Sequence, residues 1–221
     1  MDDLKNNFTN KLIIAEGIDE TGKTSVMELL YRDLQNNGIK TILTKQPGGD
    51  WGPLAPLIRS LCKDKRFELG NYANLFAFLL DRAECIEKII KPALDAGKTV
   101  ICDRWSYSTI AYQLYGKGML DDFHYFLRDD KKVNAVKEWL ENSFFNIEPD
   151  YVFYFGTKIG NREKNSNDNF ETRGNVFENR VREAYDEMKD RLDWIEIIPG
   201  QSAEETLTNL YNKVKIRLEL I

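Results

Sequence analysis

Residues 17–24 read Gly-Ile-Asp-Glu-Thr-Gly-Lys-Thr, which fits G-x-x-x-x-G-K-[ST] at every fixed position. Gly17 and Gly22 let the backbone wrap closely round a polyphosphate. The N–H groups of Ile18, Asp19, Glu20 and Thr21, and of the helix start through Ser25, then point at its oxygens. Lys23 adds a mobile positive charge for the β/γ-phosphates, and the Thr24 hydroxyl can ligate magnesium. The pattern implies a nucleoside triphosphate and leaves its fate open, because switches, motors and small-molecule kinases all share it.

Two further pairs carry chemistry. An apolar run ending at Cys102 delivers Asp103 and Arg104 to the carboxyl edge of a sheet, where ligands of open α/β folds bind. There Asp103 could hold a magnesium-bound water and Arg104 could neutralise a phosphate, the alternative being a local surface ion pair. Phe78 and Arg82 are four residues apart and share a helical face, so a planar ring and a forked donor project side by side. That arrangement suits a base stacked on Phe78 with a carbonyl bonded by Arg82; the plainer reading of Phe78 is a core aromatic. The turn Lys45-Gln46-Pro47-Gly48-Gly49-Asp50 falls on the same carboxyl edge.

The elements needed to position these groups are legible as alternating short apolar runs and amphipathic stretches, the pattern of βα units. Strands are expected at 12–16, 39–44, 99–102, 151–155 and 194–198. Helices are expected at 24–36, 54–62, 71–96, 106–115, 121–142, 176–192 and 203–220. Pro92 should kink or divide the third helix, and Ser202 with Glu205 forms a capping-box arrangement before the last. The expected fold is α/β: a five-stranded, mainly parallel sheet with helices on both faces, in one domain. The stretch 160–175 is polar and nearly free of apolar residues. It is either a solvated loop or a lid carrying Arg162, Lys164 and Arg173 over a bound anion.

Composition removes other classes. With 221 residues, 42% hydrophobic and 30% charged, the chain lies outside the disordered range and can bury a full core. Lys plus Arg number 31 against 36 Asp plus Glu, a net charge of −5, which argues against a nucleic-acid polymer as partner. Three cysteines with no C-x-x-C pair, and His124 as the single histidine, argue against a disulfide framework and a two-histidine zinc site. No apolar run approaches a membrane span and the start Met1-Asp2-Asp3-Leu4 is unlike a signal peptide, so the expected setting is cytoplasmic, away from membranes.

Together the 17–24 loop, the Pro47-Gly48-Gly49 turn, Phe78-Leu79-Leu80-Asp81-Arg82 followed by IIKPAL at 89–94, Asp103-Arg104 leading to Ser108-Thr109-Ile110-Ala111-Tyr112-Gln113, and Asp168-Asn169-Phe170-Glu171 before Tyr185 resemble the thymidylate kinase family of P-loop nucleoside monophosphate kinases. The resemblance implies transfer of the ATP γ-phosphate to dTMP, with Mg2+, in a homodimer. It implies that Phe78 stacks the thymine, that Arg82 reaches its O4, and that Thr109 and Gln113 contact the base edge. Tyr112 would pack near the sugar, Asp19 near the 3′-hydroxyl or magnesium, and Arg104 on the acceptor phosphate. Lys45, Pro47 and Ser108 join the acceptor site, and Asp168 and Glu171 belong to a lid over about 159–175, with Glu171 beside Thr24 and Asp103 toward the metal.

Departures from the family pattern matter too. Members often have Arg-Glu-Pro-Gly-Gly-Thr where this chain has Lys45-Gln46-Pro47-Gly48-Gly49-Asp50, and Lys45 neutralises phosphate as a point charge, not as a fork. Trp105 stands where Tyr or His is usual, and Tyr154-Phe155-Gly156 replaces Leu-Asp-Val. A dUMP or 5-modified deoxyuridylate acceptor is therefore an alternative, as is a deoxynucleoside kinase. A GTP-dependent switch would need N-K-x-D, and Asn212-Lys213-Val214-Lys215 has lysine at the aspartate position. Glu20 occupies the loop position that carries an arginine in one subgroup, so the transition-state arginine is expected from the lid, as Arg162 or Arg173.

Overall fold

The computed structural model describes residues 7–141, 147–156 and 174–219. Five strands, β1 (Leu12–Gly17), β2 (Thr41–Lys45), β3 (Thr99–Asp103), β4 (Tyr151–Phe155) and β5 (Ile195–Glu196), form one sheet in the order β2-β3-β1-β4-β5. Every described pairing is parallel, as expected for strands joined through helices. β1 is buried along its whole length, and its side chains alternate between two cores. Ile13 and Ala15 face a core closed by α1 (Lys23–Asn36) and the C-terminal helix Ala203–Glu219. Leu12 and Ile14 face the larger core. Helices thus cover both faces.

On the larger face lie α2 (Ala55–Lys63) and α3 (Asn71–Cys85). The latter runs through a π-helical turn, Ile86–Ile90, into α4 (Lys91–Asp95). Pro92 lacks the N–H that an α-helix would need there, and the wide turn just before it absorbs the missing bond, so the expected division occurs. α5 (Ser106–Thr109) likewise widens into a π-helical stretch, Ile110–Gly116, where a plain helix over 106–115 was expected.

Two other expectations need correcting. The helix expected over 121–142 is two, α6 (Met119–Leu127) and α7 (Asp130–Glu141). Arg128 adopts a left-handed φ of 48° between them, and Asp129 accepts from the Lys131 N–H (3.0 Å), a start signal inside a continuous polar pattern. The strand expected over 194–198 shortens to two residues, although Ile197 N–H still donates to the Tyr154 carbonyl (2.8 Å). α8 (Asn175–Arg191) and α9 (Ala203–Glu219) match expectation closely. At the start of α9, Ser202 Oγ accepts from Glu205 N–H (3.2 Å), while the Glu205 carboxylate accepts from Gln201 N–H (2.7 Å), one residue before the cap.

β1 is the point at which the strand order reverses: its neighbours are β3 on one side and β4 on the other. The crevice outside the carboxyl ends of β1 and β3 is where such a sheet binds ligands, and both the 17–24 loop and the Asp103-Arg104 pair leave those ends.

Candidate active site

The loop after β1 takes the backbone angles that its glycines allow. Gly17 has φ 132° and Gly22 has φ 77°, and Glu20 between them is left-handed at 64°. A side chain at Gly17 would run into the Phe155 carbonyl oxygen of β4, so the loop's first residue is fixed by strand packing as well as by conformation. Ile18, Thr21 and Lys23 are buried, with Lys23 5% exposed. Lys23 Nζ folds back to donate to the Ile18 carbonyl and to Thr21 Oγ1 (3.2 Å). Burial, together with the nearby Arg104 charge, lowers its pKa to about 8. Residues 19–25 line a cleft that also holds Lys45, Arg59, Lys63, Asp103 and Arg104.

Thr24 Oγ1 donates to Asp103 Oδ2 (2.7 Å), and Asp103 Oδ1 is buried without a partner. A hydroxyl and a carboxylate side by side at a phosphate loop, one carboxylate oxygen unsatisfied, are a hard-oxygen donor set that fits magnesium.

Arg104 is the centre of the second site. It is a non-glycine residue with φ 75°, a conformation costing about 1–2 kcal/mol that persists where surrounding bonds dictate it. Nη1 donates to the Gly17 carbonyl (3.1 Å), Ser108 Oγ (2.9 Å) and Tyr185 Oη (3.3 Å), and Nη2 to Asp19 Oδ1 (2.5 Å). The guanidinium also lies 5.1 Å from the Tyr112 ring centre, within cation–π range. Asp19 is completed by Tyr112 Oη (2.9 Å). Burial alone would raise the Asp19 pKa, but Arg104, Lys23 and Lys63 hold it well below the ordinary carboxylate range.

Behind Arg104 stands Glu16, fully buried. It accepts from the backbone N–H groups of Trp105 (2.7 Å) and Ser108 (3.1 Å), from Ser108 Oγ (2.6 Å) and from Tyr185 Oη (2.9 Å). Burial pushes its pKa up, while Arg104 and these donors pull the other way. The same hydroxyls, Ser108 and Tyr185, meet Arg104 on one side and Glu16 on the other. The buried carboxylate therefore orients the arginine through them.

Arg82 lies deeper still and is 2% exposed. Nε donates to Gln46 Oε1 (3.0 Å), and Nη2 to the Trp105 carbonyl (2.9 Å) and Thr109 Oγ1 (2.7 Å). Burial lowers its pKa to about 10. Nη1 has no partner, and neither do the amide atoms of Gln113. Beside Arg82 opens a cavity walled by Phe78, Thr109, Tyr112, Ser108, Pro47 and others. Phe78 is half-buried, so the expected ring-and-fork pair forms one wall; Gln113 is fully buried and is not among the described wall residues. Pro47 follows a cis peptide bond in a turn held by Asp81, whose Oδ1 accepts from Gly48 N–H (2.7 Å) and Trp51 Nε1 (3.1 Å).

The fold gathers Lys23, Thr24, Asp103, Arg104, Asp19, Phe78, Arg82, Thr109 and Tyr112 at one edge. Arg162, Asp168, Glu171 and Arg173, with the expected lid up to 173, lie outside the described residues. The lid's last expected residues, 174 and 175, lead directly into α8, which starts at Asn175. Sequence reading named Tyr185 without giving it a role, and missed Glu16, Arg59 and Lys63. A carboxylate in register with Leu12 and Ile14 on an otherwise apolar strand was the available signal for Glu16. Two cations four apart on the helix after the glycine turn were the signal for Arg59 and Lys63.

The chain is matched over residues 15–210 by the family described as Thymidylate kinase. Thymidylate kinase of Halothermothrix orenii is 33% identical over 211 residues, covering 92% of this chain and 95% of the relative. That of Finegoldia magna is 32% identical, covering 93% and 98%. The crystal structure of thymidylate kinase from Ehrlichia chaffeensis superposes with a TM-score of 0.67 at 25% identity, over 93% of this chain and 98% of that one. Loop, switch-point crevice and the adjoining cavity of Phe78 and Arg82 therefore sit on a fold whose relatives agree along nearly its whole length, and the chain belongs to the thymidylate kinase family.

Proposed function

We propose that this protein transfers the γ-phosphoryl group of ATP to dTMP, forming dTDP and ADP. A phosphate oxygen of dTMP bonds to the γ-phosphorus as the bond to the β–γ bridging oxygen breaks, and no covalent enzyme intermediate is needed. One observation carries the reading beyond family membership. The phosphate cleft and the cavity beside Arg82 adjoin, with Asp19, Gln46, Pro47, Lys63 and Arg104 lining both. A nucleotide with its base in one and its phosphate in the other points that phosphate at Lys23, as in-line transfer requires.

In this reading Phe78 stacks the thymine, and Arg82, Thr109 and Gln113 read its edge, the unpartnered Arg82 Nη1 and Gln113 amide being polar atoms in need of partners. Tyr112 packs near the sugar, and Arg104, Lys45 and Ser108 serve the acceptor phosphate. The loop 17–25 cradles ATP. Thr24 and Asp103 would hold Mg2+, joined by Glu171, and the ion would supply charge neutralisation at the β/γ-phosphates. Residues 159–175 act as lid within a single domain and bring Arg162 or Arg173 to the transferring group.

The test is ADP formation with ATP and magnesium across dTMP, dUMP, UMP, dGMP and thymidine. Fast turnover with dTMP, abolished by a chelator, is expected. Comparable turnover with dUMP would replace the dTMP reading by a broadened pocket, and turnover with thymidine alone would make the protein a nucleoside kinase.

The setting we infer is cytoplasmic; among the described residues no helix is long and apolar enough to cross a membrane. The assembly we infer is a homodimer. Tyr72, Phe76 and Leu80 recur every four residues on α3 and are exposed, Phe76 by 63%, and Leu57 on the adjoining α2 is exposed as well. Such a stripe suits a second copy. Phe76→Lys is expected to shift sedimentation from dimer to monomer at micromolar concentration; an unshifted dimer would place the interface elsewhere.

A further inference from the structure

Lys63 has no part in the transfer proposed for this site, yet it occupies the seam between the two halves of the acceptor pocket. It ends α2 (Ala55–Lys63), one turn beyond Arg59, and residues four apart on a helix project from one face. Arg59 Nη1 donates to the Pro47 carbonyl (2.5 Å), which fixes α2 against the turn after β2. Arg59 lines the phosphate cleft, whereas Lys63 lines both the cleft and the cavity of Phe78 and Arg82. A bound nucleoside monophosphate reaching from that cavity toward Lys23 carries its sugar and 5′-phosphate across this seam.

The anionic protein group at the seam, Asp19, is already engaged by Arg104 (2.5 Å) and Tyr112 (2.9 Å). Lys63 adds to the positive field around it. With Lys23, Lys45, Arg59 and Arg104 along the same cleft, the basic side chains still outnumber the three carboxylates that line it, Asp19, Glu20 and Asp103, which suits an anionic acceptor arriving beside a triphosphate.

We propose that Lys63 is an acceptor-binding residue whose ammonium contacts the 5′-phosphate of the nucleoside monophosphate and so favours charged acceptors over nucleosides. The inference rests on the nucleotide-kinase reading. An ammonium on a flexible stem is a point charge without a fixed fork. It follows the phosphate as the phosphate moves, and thereby stabilises ground and transition states alike. Such uniform binding lowers KM and leaves kcat unchanged.

The experiment compares wild type, Lys63→Met and Lys63→Arg by calorimetric binding of dTMP and of thymidine, alongside steady-state kinetics. Lys63→Met keeps the apolar stem against the cavity wall and removes the charge. It is expected to weaken dTMP binding and raise the dTMP KM about tenfold, the effect of one lost charge-assisted contact. Thymidine affinity, kcat and the KM for ATP should stay within twofold, and Lys63→Arg should recover most of the dTMP affinity. Equal weakening of dTMP and thymidine would show that Lys63 shapes the cavity and would overturn the proposal. Unchanged dTMP affinity in an active enzyme would overturn it as well. A wild-type protein that fails to phosphorylate any monophosphate would instead sink the kinase reading itself.

Discussion

Arg104→Lys is expected to lower kcat/KM for dTMP by about 10³, equivalent to about 4 kcal/mol of transition-state stabilisation. The reason is geometric. One guanidinium nitrogen serves the Gly17 carbonyl, Ser108 and Tyr185 while the other serves Asp19, so the planar fork spans the end of β1, α5 and α8 at once. A lysine ammonium carries the same charge but cannot reach opposite sides together. Bonds of this charge-assisted kind contribute about 1.5–3 kcal/mol each, and phosphoryl transfer depends on such positioning more than on covalent chemistry. Folding and catalysis separate in the comparison with Arg104→Ala. Alanine removes the strongest compensation of the Asp19 carboxylate, which is part-exposed and keeps Tyr112, Lys23 and Lys63 around it, and should cost about 1–2 kcal/mol of stability. Lysine retains that compensation and should cost distinctly less. Kinetics beside thermal denaturation decide the matter: a lysine variant within tenfold of wild type would mean that Arg104 supplies charge alone.

Most of this site was legible as sequence because its groups sit at the ends of strongly patterned elements. The glycine loop follows a strand apolar but for Glu16, Asp103 and Arg104 end a second mainly apolar run, and Phe78 and Arg82 share a helix face. The groups that stayed hidden depend on long-range pairing. Glu16 gains its role only when β1, α5 and α8 converge, 92 residues separating it from Ser108 and 169 from Tyr185. The break between α6 and α7 escaped because Arg128, a good helix former, takes a left-handed conformation set by Asp129 and the new cap. The two π-helical stretches were hidden for a similar reason: wide turns leave hydrophobic periodicity almost unchanged while rotating the residues beyond them. In the second, that rotation lies between Thr109, which meets Arg82, and Gln113, which is buried with its amide unpartnered. The acceptor-side change to Lys45 and Gln46 was visible as a departure. Its consequence, a buried Arg82 that meets a neutral Gln46 amide oxygen (3.0 Å), required the fold.

Lys23→Met is expected to impair catalysis and stabilise the nucleotide-free protein together. Removing the cation that meets the β/γ-phosphates should lower kcat by about 10³, a loss at the upper end of what one preorganised electrostatic contact contributes. The stability change comes from where the ammonium is stored. Lys23 is buried against the Ile18 carbonyl and Thr21, and it titrates near 8 in the folded chain against 10.5 ordinarily. Between those values the unfolded chain holds one proton more than the folded one, so stability rises with pH across that window. Below about 8 both states are protonated and the folded state bears the full cost of the buried charge, on the order of 3 kcal/mol. Methionine removes that cost at pH 7 and forfeits hydrogen bonds contributing about 1 kcal/mol each. The variant should therefore unfold a few degrees higher at pH 7, at about 2–4 °C per kcal/mol for a chain of this size. Its advantage should disappear as pH approaches 10.5. ATP reverses the order, because polyphosphate charge offsets the cost of the buried ammonium and ATP binds only the folded state. Saturating nucleotide should thus raise the melting temperature of the wild type well above that of the variant. Thermal melts at pH 7 and pH 10, with and without ATP, test both halves. A variant that melts lower than wild type at pH 7 without nucleotide would mean that Lys23 stabilises the empty loop, and that the loop carries no stored electrostatic cost for the triphosphate to relieve.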